Sequence, residues 1–283
     1  MIPAAFGYSR PRSLDEAFAL LSEHGPDAKL IAGGHSLLPM MKLRLATPSM
    51  LIDISRIAGL DGIRMSGDSI TIGALATHAA IAADANVRKL IPALADAAIQ
   101  IGDAQVRNRG TIGGACAHGD PSADYPAILL ALDASLAMQS RSGRKTVGAG
   151  DFFRGLFETA LEPDAVLVEV TLKAAPKSAY VKFPHPASHY AVVGAAANLT
   201  LSGKTIAAAR IAITGVGDHA YRPSGVEKAL GGIDPGDVAA VKAACVDAGA
   251  GVEARSDVFA SGRYRAAMAE VYVARAVDAA AKR

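Results

Sequence analysis

Apolar and polar positions alternate in short runs through the first third of the chain and then recur at helical spacing. Ala17, Leu20 and Leu21 form a helical stripe that Ser13 and Glu16 open as a capping box and Gly25–Pro26 close. KLIAGG (29–34) predicts a short buried strand running into a glycine turn, and MLIDISRI (50–57) and DSITIGALAT (68–77) predict two more strands. Residues 77–101 predict helix, with His78, Ile81, Leu90, Leu94 and Ala98 along it. A glycine-punctuated stretch, 102–125, reads as a long loop, followed by a second apolar segment, Tyr125 to Leu136. Thr146–Val147 and Ala165–Leu172 predict further strands. Residues 174–190 hold three prolines and little periodicity, and the last domain is expected to begin there. Beyond it, AVVGAAANLTL and ARIAITGVG predict strands, and the Ala-rich end of the chain predicts helices. The expected class is α+β: an α/β part of about 175 residues, then a smaller α+β domain over 176–283.

Composition narrows the function classes. The 283 residues are 51% hydrophobic and 20% charged, which fits about two packed domains and excludes disorder. No apolar run reaches the length of a spanning helix. A net charge of +2, with both signs spread along the chain, builds no basic stripe for nucleic acid. Two cysteines, Cys116 and Cys245, cannot supply the four thiolates of an iron–sulfur cluster, and their scarcity fits a reducing compartment. MIPAAFGYSRPRSLDEAFALL has no apolar run after a basic start, so no signal peptide is expected. The reading is a cytoplasmic protein, with peripheral attachment at the inner membrane face left open.

Two glycine-bearing turns carry the candidate chemistry. Ala32-Gly33-Gly34-His35-Ser36-Leu37 directly follows a predicted strand. Consecutive glycines allow backbone to approach a ligand, and successive N–H groups form a nest suited to phosphate. The turn is neither a Walker A nor a dinucleotide-fold GxGxxG, and an ordinary strand-to-helix turn is the alternative. The second turn lies in RGTIGGACAHGDPSAD (109–124), four glycines followed by two aspartates around Pro121–Ser122. It could wrap a nucleotide, with N–H groups on phosphates and a carboxylate on sugar hydroxyls. A metal site from His118, Asp120 and Asp124 and a plain surface loop are the alternatives.

AGGHSLLPMMKLRL together with GTIGGACAHGDPSADYPAILLALDA resembles the FAD-binding medium subunit of the molybdenum hydroxylases, the carbon monoxide dehydrogenase medium-chain and xanthine dehydrogenase flavin-domain family. The likeness extends over essentially the whole chain. It implies an FAD-binding domain of the vanillyl-alcohol-oxidase/peroxidase-like type over residues 1–175, in two subdomains of about 1–57 and 58–175. A C-terminal flavoprotein domain over 176–283 would complete the chain.

The resemblance implies specific contacts with FAD. Leu30, Ile31, Ala32, Gly33, Gly34, His35, Ser36 and Leu37 would cradle the pyrophosphate, and Thr111, Ile112, Gly113, Gly114 and Ala115 would line the adenosine-diphosphate end. Asp124 would accept from a nucleotide hydroxyl. Ile101 and Gly102 would pack near the flavin, Leu161 would be an apolar contact, Lys182 a polar one, and Tyr190 would cover one face of the isoalloxazine. The chain departs from the family at Ala115, where Asn is common, and in the proline-rich KFPHPASH before Tyr190. His35 and His118 are the candidates for a covalent flavin link, but the family's FAD is generally non-covalent. His185 and His189 are candidate proton carriers, and His78 reads as a packed or surface histidine. Molybdopterin and [2Fe–2S] would sit in partner chains, a molybdenum-binding large subunit and an iron–sulfur small subunit, assembled as a dimer of heterotrimers. The expected function is electron transfer from those clusters through FAD to a terminal acceptor. A stand-alone FAD oxidoreductase and a non-redox nucleotide-binding protein are the alternatives.

Overall fold

The computed structural model describes residues 2–283. Three short strands, β1 (Gly7–Ser9), β2 (Ala28–Ile31) and β3 (Met50–Asp53), form a parallel sheet in the order β1-β3-β2. The helix Leu14–His24 packs on it through Ala17, Phe18 and Leu21. The Ser13 half of its capping box forms, Ser13 Oγ accepting from the Glu16 N–H at 3.2 Å, while the Glu16 carboxylate reaches one residue further back, to the Arg12 N–H at 2.7 Å. Gly25 ends it at φ 59°, where a side chain would be strained.

Strands β4 (Ile63–Ser66), β5 (Ser69–Gly73), β6 (Ser135–Ser140) and β7 (Gly143–Gly148) are followed by the hairpin β8 (Phe153–Gly155) and β9 (Glu158–Thr159), then β10 (Val166–Lys173). Five of them make an antiparallel sheet ordered β4-β5-β10-β6-β7. Its apolar face packs on helices His78–Ala83, Ala85–Leu90, Pro92–Gln100, Ile112–His118 and Tyr125–Ala131, around Ile70, Ile72, Leu94, Ile128 and Phe152. The stretch expected as a loop, 102–125, is largely helical: Ala104–Arg109 and Ile112–His118 occupy it, capped by Asp103 and Thr111. Its glycines concealed these helices. Gly110 and Gly119 lie at their ends, whereas Gly113 and Gly114 are inside the second, where a near neighbour rather than a turn requires them.

The proline-bearing segment 174–190 also differs from expectation, for it contains a seven-residue strand. β11 (Ser178–Pro184), β12 (Ala191–Ser202) and β13 (Thr205–Thr214) form an antiparallel sheet, and the helix Gly262–Ala281 lies across it. Alternation in SAYVKFP had been masked by the prolines at and beyond the strand's end. The alanines of β12 leave room for the helix to approach, and its Ala269, Val273, Ala276, Val277 and Ala280 fill the gap at helical spacing. Tyr180, Ala196 and Ala212 from this sheet also join the central core. Cys116 and Cys245 are buried free thiols.

One buried polar contact braces the second glycine turn from behind. His78 Nδ1 and the Tyr125 hydroxyl are 2.9 Å apart in the central core, while Nε2 faces Gly110 so closely that a Cβ there would sit 2.5 Å away. The His78 N–H donates to the Gly110 carbonyl, and Thr77 pairs with Thr111. Burial lowers the His78 pKa from 6.5 to about 4, with His35 and Arg107 contributing in the same direction. Because the folded pKa lies below the unfolded one, the unfolded chain takes up the proton first, and stability falls as pH drops from about 6.5 toward 4. Between pH 7 and 5 this histidine should cost about 2 kcal/mol. Urea unfolding of wild type and His78→Gln at both pH values should show a smaller acid loss in the variant by about that amount; equal losses would disprove the assignment.

Candidate functional site

The first glycine turn leaves β2 at the carboxyl end of the parallel sheet, the edge where open parallel sheets bind ligands. Leu30 and Ile31 still belong to β2, paired with Ile52 and Asp53, and the turn proper begins after them. Among the described residues, no protein acceptor takes a hydrogen bond from the backbone N–H groups of Gly33, Gly34, His35 or Ser36. Four consecutive solvent-accessible donors without protein partners have the form of an anion nest. Gly34 is left-handed at φ 75°, and the carbonyls of Gly34 and Ser36 already hold the helix Leu37–Lys42 through Leu38 and Met40. The His35 ring folds back onto the Gly33 carbonyl at 2.9 Å.

The two turns touch. A Cβ on Gly33 would lie 2.1 Å from the Arg109 carbonyl oxygen, so the first turn rests on the backbone of residues 109–110. Gly33 and Arg109, 76 positions apart in the chain, thereby bring the two motifs into direct contact. The second turn is built differently. The N–H groups of Ile112, Gly113, Gly114 and Ala115 donate to Ala76 O, Ala74 O, Thr111 Oγ1 and Thr111 O, so none is left for a phosphate. Gly113 is glycine because Ala74 lies where its Cβ would be, at 2.4 Å. This turn offers a ligand a closely packed surface, with Gly114 and Ala115 on the accessible side.

Asp124 is fully enclosed at the start of the helix Tyr125–Ala131. Lys182 Nζ donates to Oδ2 at 3.1 Å and the Tyr180 hydroxyl to Oδ1 at 2.5 Å. The side chains of Lys182 and Asp124 are 1% and 6% exposed, so the ion pair has no solvent to share its charge. Lys182 also donates to the carbonyls of Gln100, at 2.9 Å, and His189, at 2.8 Å. Burial pushes the Asp124 carboxyl above its usual range, opposed by the Lys182 ammonium and the Tyr180 hydroxyl, and burial likewise drives the Tyr180 phenol far up. Tyr180 and Lys182 reach the same carboxylate because they are two residues apart on β11 and so share a face.

The Lys182 bond to Gln100 sets Ile101 and Gly102 beside this cluster. Gly102 is left-handed at φ 51°, with Val106 against the place of its Cβ, and Arg107 holds the carbonyls of both residues. On the other side, His189 adopts φ 60° and turns the chain so that Tyr190 lies beside the Ser36 hydroxyl of the first glycine turn. Burial and the Asp120 carboxylate raise the Tyr190 phenol. Leu161 packs at the margin of the central core, and the Phe157 ring of the β8–β9 hairpin lies tilted at 46° against His118, centroids 5.1 Å apart. With His118 so placed and Asp124 committed to Lys182, these residues form no metal site, and among the described residues no other cluster does. His185 and His189 are not paired with any acid.

Several residues around the site were not singled out from the sequence: Tyr180, Gln100 and Tyr125. Tyr180 was legible in principle, as the residue two before Lys182 on one strand face. Gln100 acts through its backbone carbonyl, which leaves no mark in a motif.

Comparison with known proteins agrees with this architecture. Residues 4–173 match the family described as the FAD binding domain in molybdopterin dehydrogenase, and residues 178–280 match the carbon monoxide dehydrogenase flavoprotein C-terminal domain. The chain is 44% identical to the carbon monoxide dehydrogenase medium chain of Hydrogenophaga pseudoflava, over 99% of this chain and 98% of that one. It is 37% identical to the 6-hydroxypseudooxynicotine dehydrogenase complex subunit alpha of Paenarthrobacter nicotinovorans, over 100% and 97%. The solved structure of the Hydrogenophaga pseudoflava carbon monoxide dehydrogenase that lacks the Mo-pyranopterin moiety superposes with a TM-score of 0.94 at 45% identity, covering 99% of this chain and 98% of that one. The chain therefore belongs to the FAD-binding medium-subunit family of the molybdenum hydroxylases, oxidoreductase subunits built from an FAD-binding domain and a flavoprotein C-terminal domain.

Proposed function

We propose that the chain holds one non-covalent, extended FAD on a fold of the vanillyl-alcohol-oxidase/peroxidase-like type and carries electrons within a heteromeric molybdenum hydroxylase. The observation that supports this best is the row of unpartnered N–H groups at Gly33–Ser36, set against a second turn by a contact only glycine allows. Those four groups would take the pyrophosphate, with Ala32 and Leu37 flanking and the Ser36 hydroxyl adding a donor. The Thr111–Ala115 surface would line the adenosine-diphosphate end. Asp124 would spend a remaining lone pair on a nucleotide hydroxyl while held by Lys182. Tyr190 would lie over the isoalloxazine, near Ile101, Gly102 and Leu161. When bound, the flavin supplies the redox chemistry, and the protein supplies position and electrostatics.

Cys116 and Cys245 are buried in separate cores and cannot share a cluster, so in this reading the electrons come from another chain. An iron–sulfur small subunit with [2Fe–2S] centres and a molybdopterin-bearing large subunit would deliver them, in a dimer of heterotrimers. Relatives of comparable identity are named for carbon monoxide and for 6-hydroxypseudooxynicotine, which fits a substrate chosen in the large subunit. Among the described residues no helix is long and apolar enough to cross a membrane.

The partner-dependent role is tested by reduction. The FAD-loaded chain alone should be bleached by dithionite yet show no turnover with carbon monoxide, aldehydes or purines. Combined with its iron–sulfur and molybdenum partners, it should reduce an acceptor dye at a substrate-dependent rate. Equal turnover by the lone chain would favour a stand-alone oxidoreductase.

The glycine contact gives a sharper test of the cleft. Gly33→Ala should weaken FAD roughly 100-fold by titration of the flavin-free chain, because the added Cβ pushes the two turns apart. Gly150→Ala, where a Cβ meets nothing within 4 Å, should leave affinity unchanged. Normal binding by the Gly33 variant would remove the first turn from the pyrophosphate site.

A further inference from the structure

Residues 252–261 cross the C-terminal domain without regular structure, between the turns that follow the helix Val238–Ala244 and the start of the helix Gly262–Ala281. Irregular backbone of this length is normally loose, yet this segment is anchored at three points. The Arg255 N–H donates to the Val216 carbonyl at 2.8 Å. The Asp257 carboxylate takes the N–H groups of Phe259 and Ala260 at 2.9 and 3.0 Å, and the Arg265 guanidinium clasps its other oxygen. Arg265, 3% exposed, also donates to the carbonyls of Val192 and Gly215 at 2.6 and 2.9 Å. The Ser256 hydroxyl accepts from the Gly262 N–H at the helix start.

From this anchored strap two side chains reach the segment before Asp124 and the turn before Tyr190. Arg255 donates to Ser122 Oγ at 2.8 Å, in the Asp120–Asp124 segment, and to the Gly215 carbonyl. That segment is held from the same side by Thr214 and Gly215, which donate to the carbonyls of Pro121 and Ala123. Phe259 lies against His185, ring centroids 3.8 Å apart at 79°. His185 is the hub of the turn that presents Tyr190. Its Nδ1 accepts from the N–H groups of Ala187 and Ser188, and its carbonyl accepts from His189 N–H. With Nδ1 an acceptor, the neutral ring carries its proton on Nε2, which is buried and has no hydrogen-bond partner, so the aromatic ring is its cover. Phe259 itself is 63% exposed, an arrangement that core packing does not call for.

We propose that residues 252–261 act as a clamp on the cofactor cleft, with Arg255 and Phe259 as positioning residues that fix the Ser122 segment and the Tyr190 turn relative to each other. Neither is placed at the cofactor; Arg255 acts through Ser122 on the segment that leads to Asp124, and Phe259 through His185 on the turn that leads to Tyr190. The proposal rests on the FAD reading above. It explains why an exposed phenylalanine is seated on a buried histidine, and why a guanidinium crosses from the C-terminal domain to a serine of the FAD-binding domain.

The test uses the full chain with Phe259→Ala, Arg255→Met and Arg255→Lys, each measured for urea unfolding without flavin, FAD release rate and flavin fluorescence. Phe259→Ala should unfold at the wild-type midpoint yet release FAD about fivefold faster, with brighter flavin emission as the Tyr190 turn loosens. Arg255→Met should release it roughly tenfold faster, and Arg255→Lys should recover part of that loss. Should Arg255→Met fail to fold, Phe259→Ala decides alone, since its side chain is mostly in solvent. Variants that release FAD at the wild-type rate with unchanged emission overturn the clamp. A wild-type chain that binds no FAD overturns instead the reading on which the clamp depends.

Discussion

The Lys182–Asp124 ion pair is the constraint on which the cleft depends. A single ammonium, 1% exposed, binds a carboxylate at the head of the Tyr125 helix, the last carbonyl of the Pro92–Gln100 helix and the carbonyl of His189. Those three groups come from different parts of the chain, and each is attached to a different border of the candidate site. Burying two opposite charges contributes little net stability compared with apolar packing, because desolvation offsets most of the attraction. What the pair supplies is position. With its donors distributed over three carbonyl or carboxylate oxygens, Lys182 can sit in one place only, and the C-terminal sheet docks in one register against the FAD-binding domain.

The glycines work with this constraint. Gly33 lets one turn lie against the backbone of the other, and Gly113 lets the second turn lie against Ala74. The turns therefore differ in role despite similar composition. One exposes free N–H groups; the other commits those of Ile112 to Ala115 to capping and cross-bridging. A turn with free N–H groups thus rests against a turn that presents a closely packed surface.

Much of this was legible in the sequence. The capping box at Ser13–Glu16, the strand into the first turn and the Ala-rich terminal helix follow from local rules, because each depends on neighbours a few residues away. The paired turns carried the family likeness, and the comparisons bear that out. The helices within 102–125 were hidden, since Gly113 and Gly114 lower helix propensity and the reason for them, Ala74, is distant in sequence. β11 was hidden by prolines that only end it. Asp124 stood out as a polar residue in a glycine-rich motif, but its partners Tyr180 and Lys182 lie 56 and 58 residues away, and no spacing rule connects them. Long-range polar contacts are what a single sequence conceals most completely.

The account turns on Lys182 and Asp124 acting as one unit, and a double-mutant cycle on the flavin-free chain measures that directly. Asp124→Ala and Lys182→Met should each cost about 3–5 kcal/mol in urea unfolding, because either leaves the other charge buried and unpaired. The double variant should cost much less than the two together, giving a coupling of several kcal/mol. Strictly additive losses, or an Asp124→Ala chain as stable as wild type, would contradict the claim that this pair fixes the cleft.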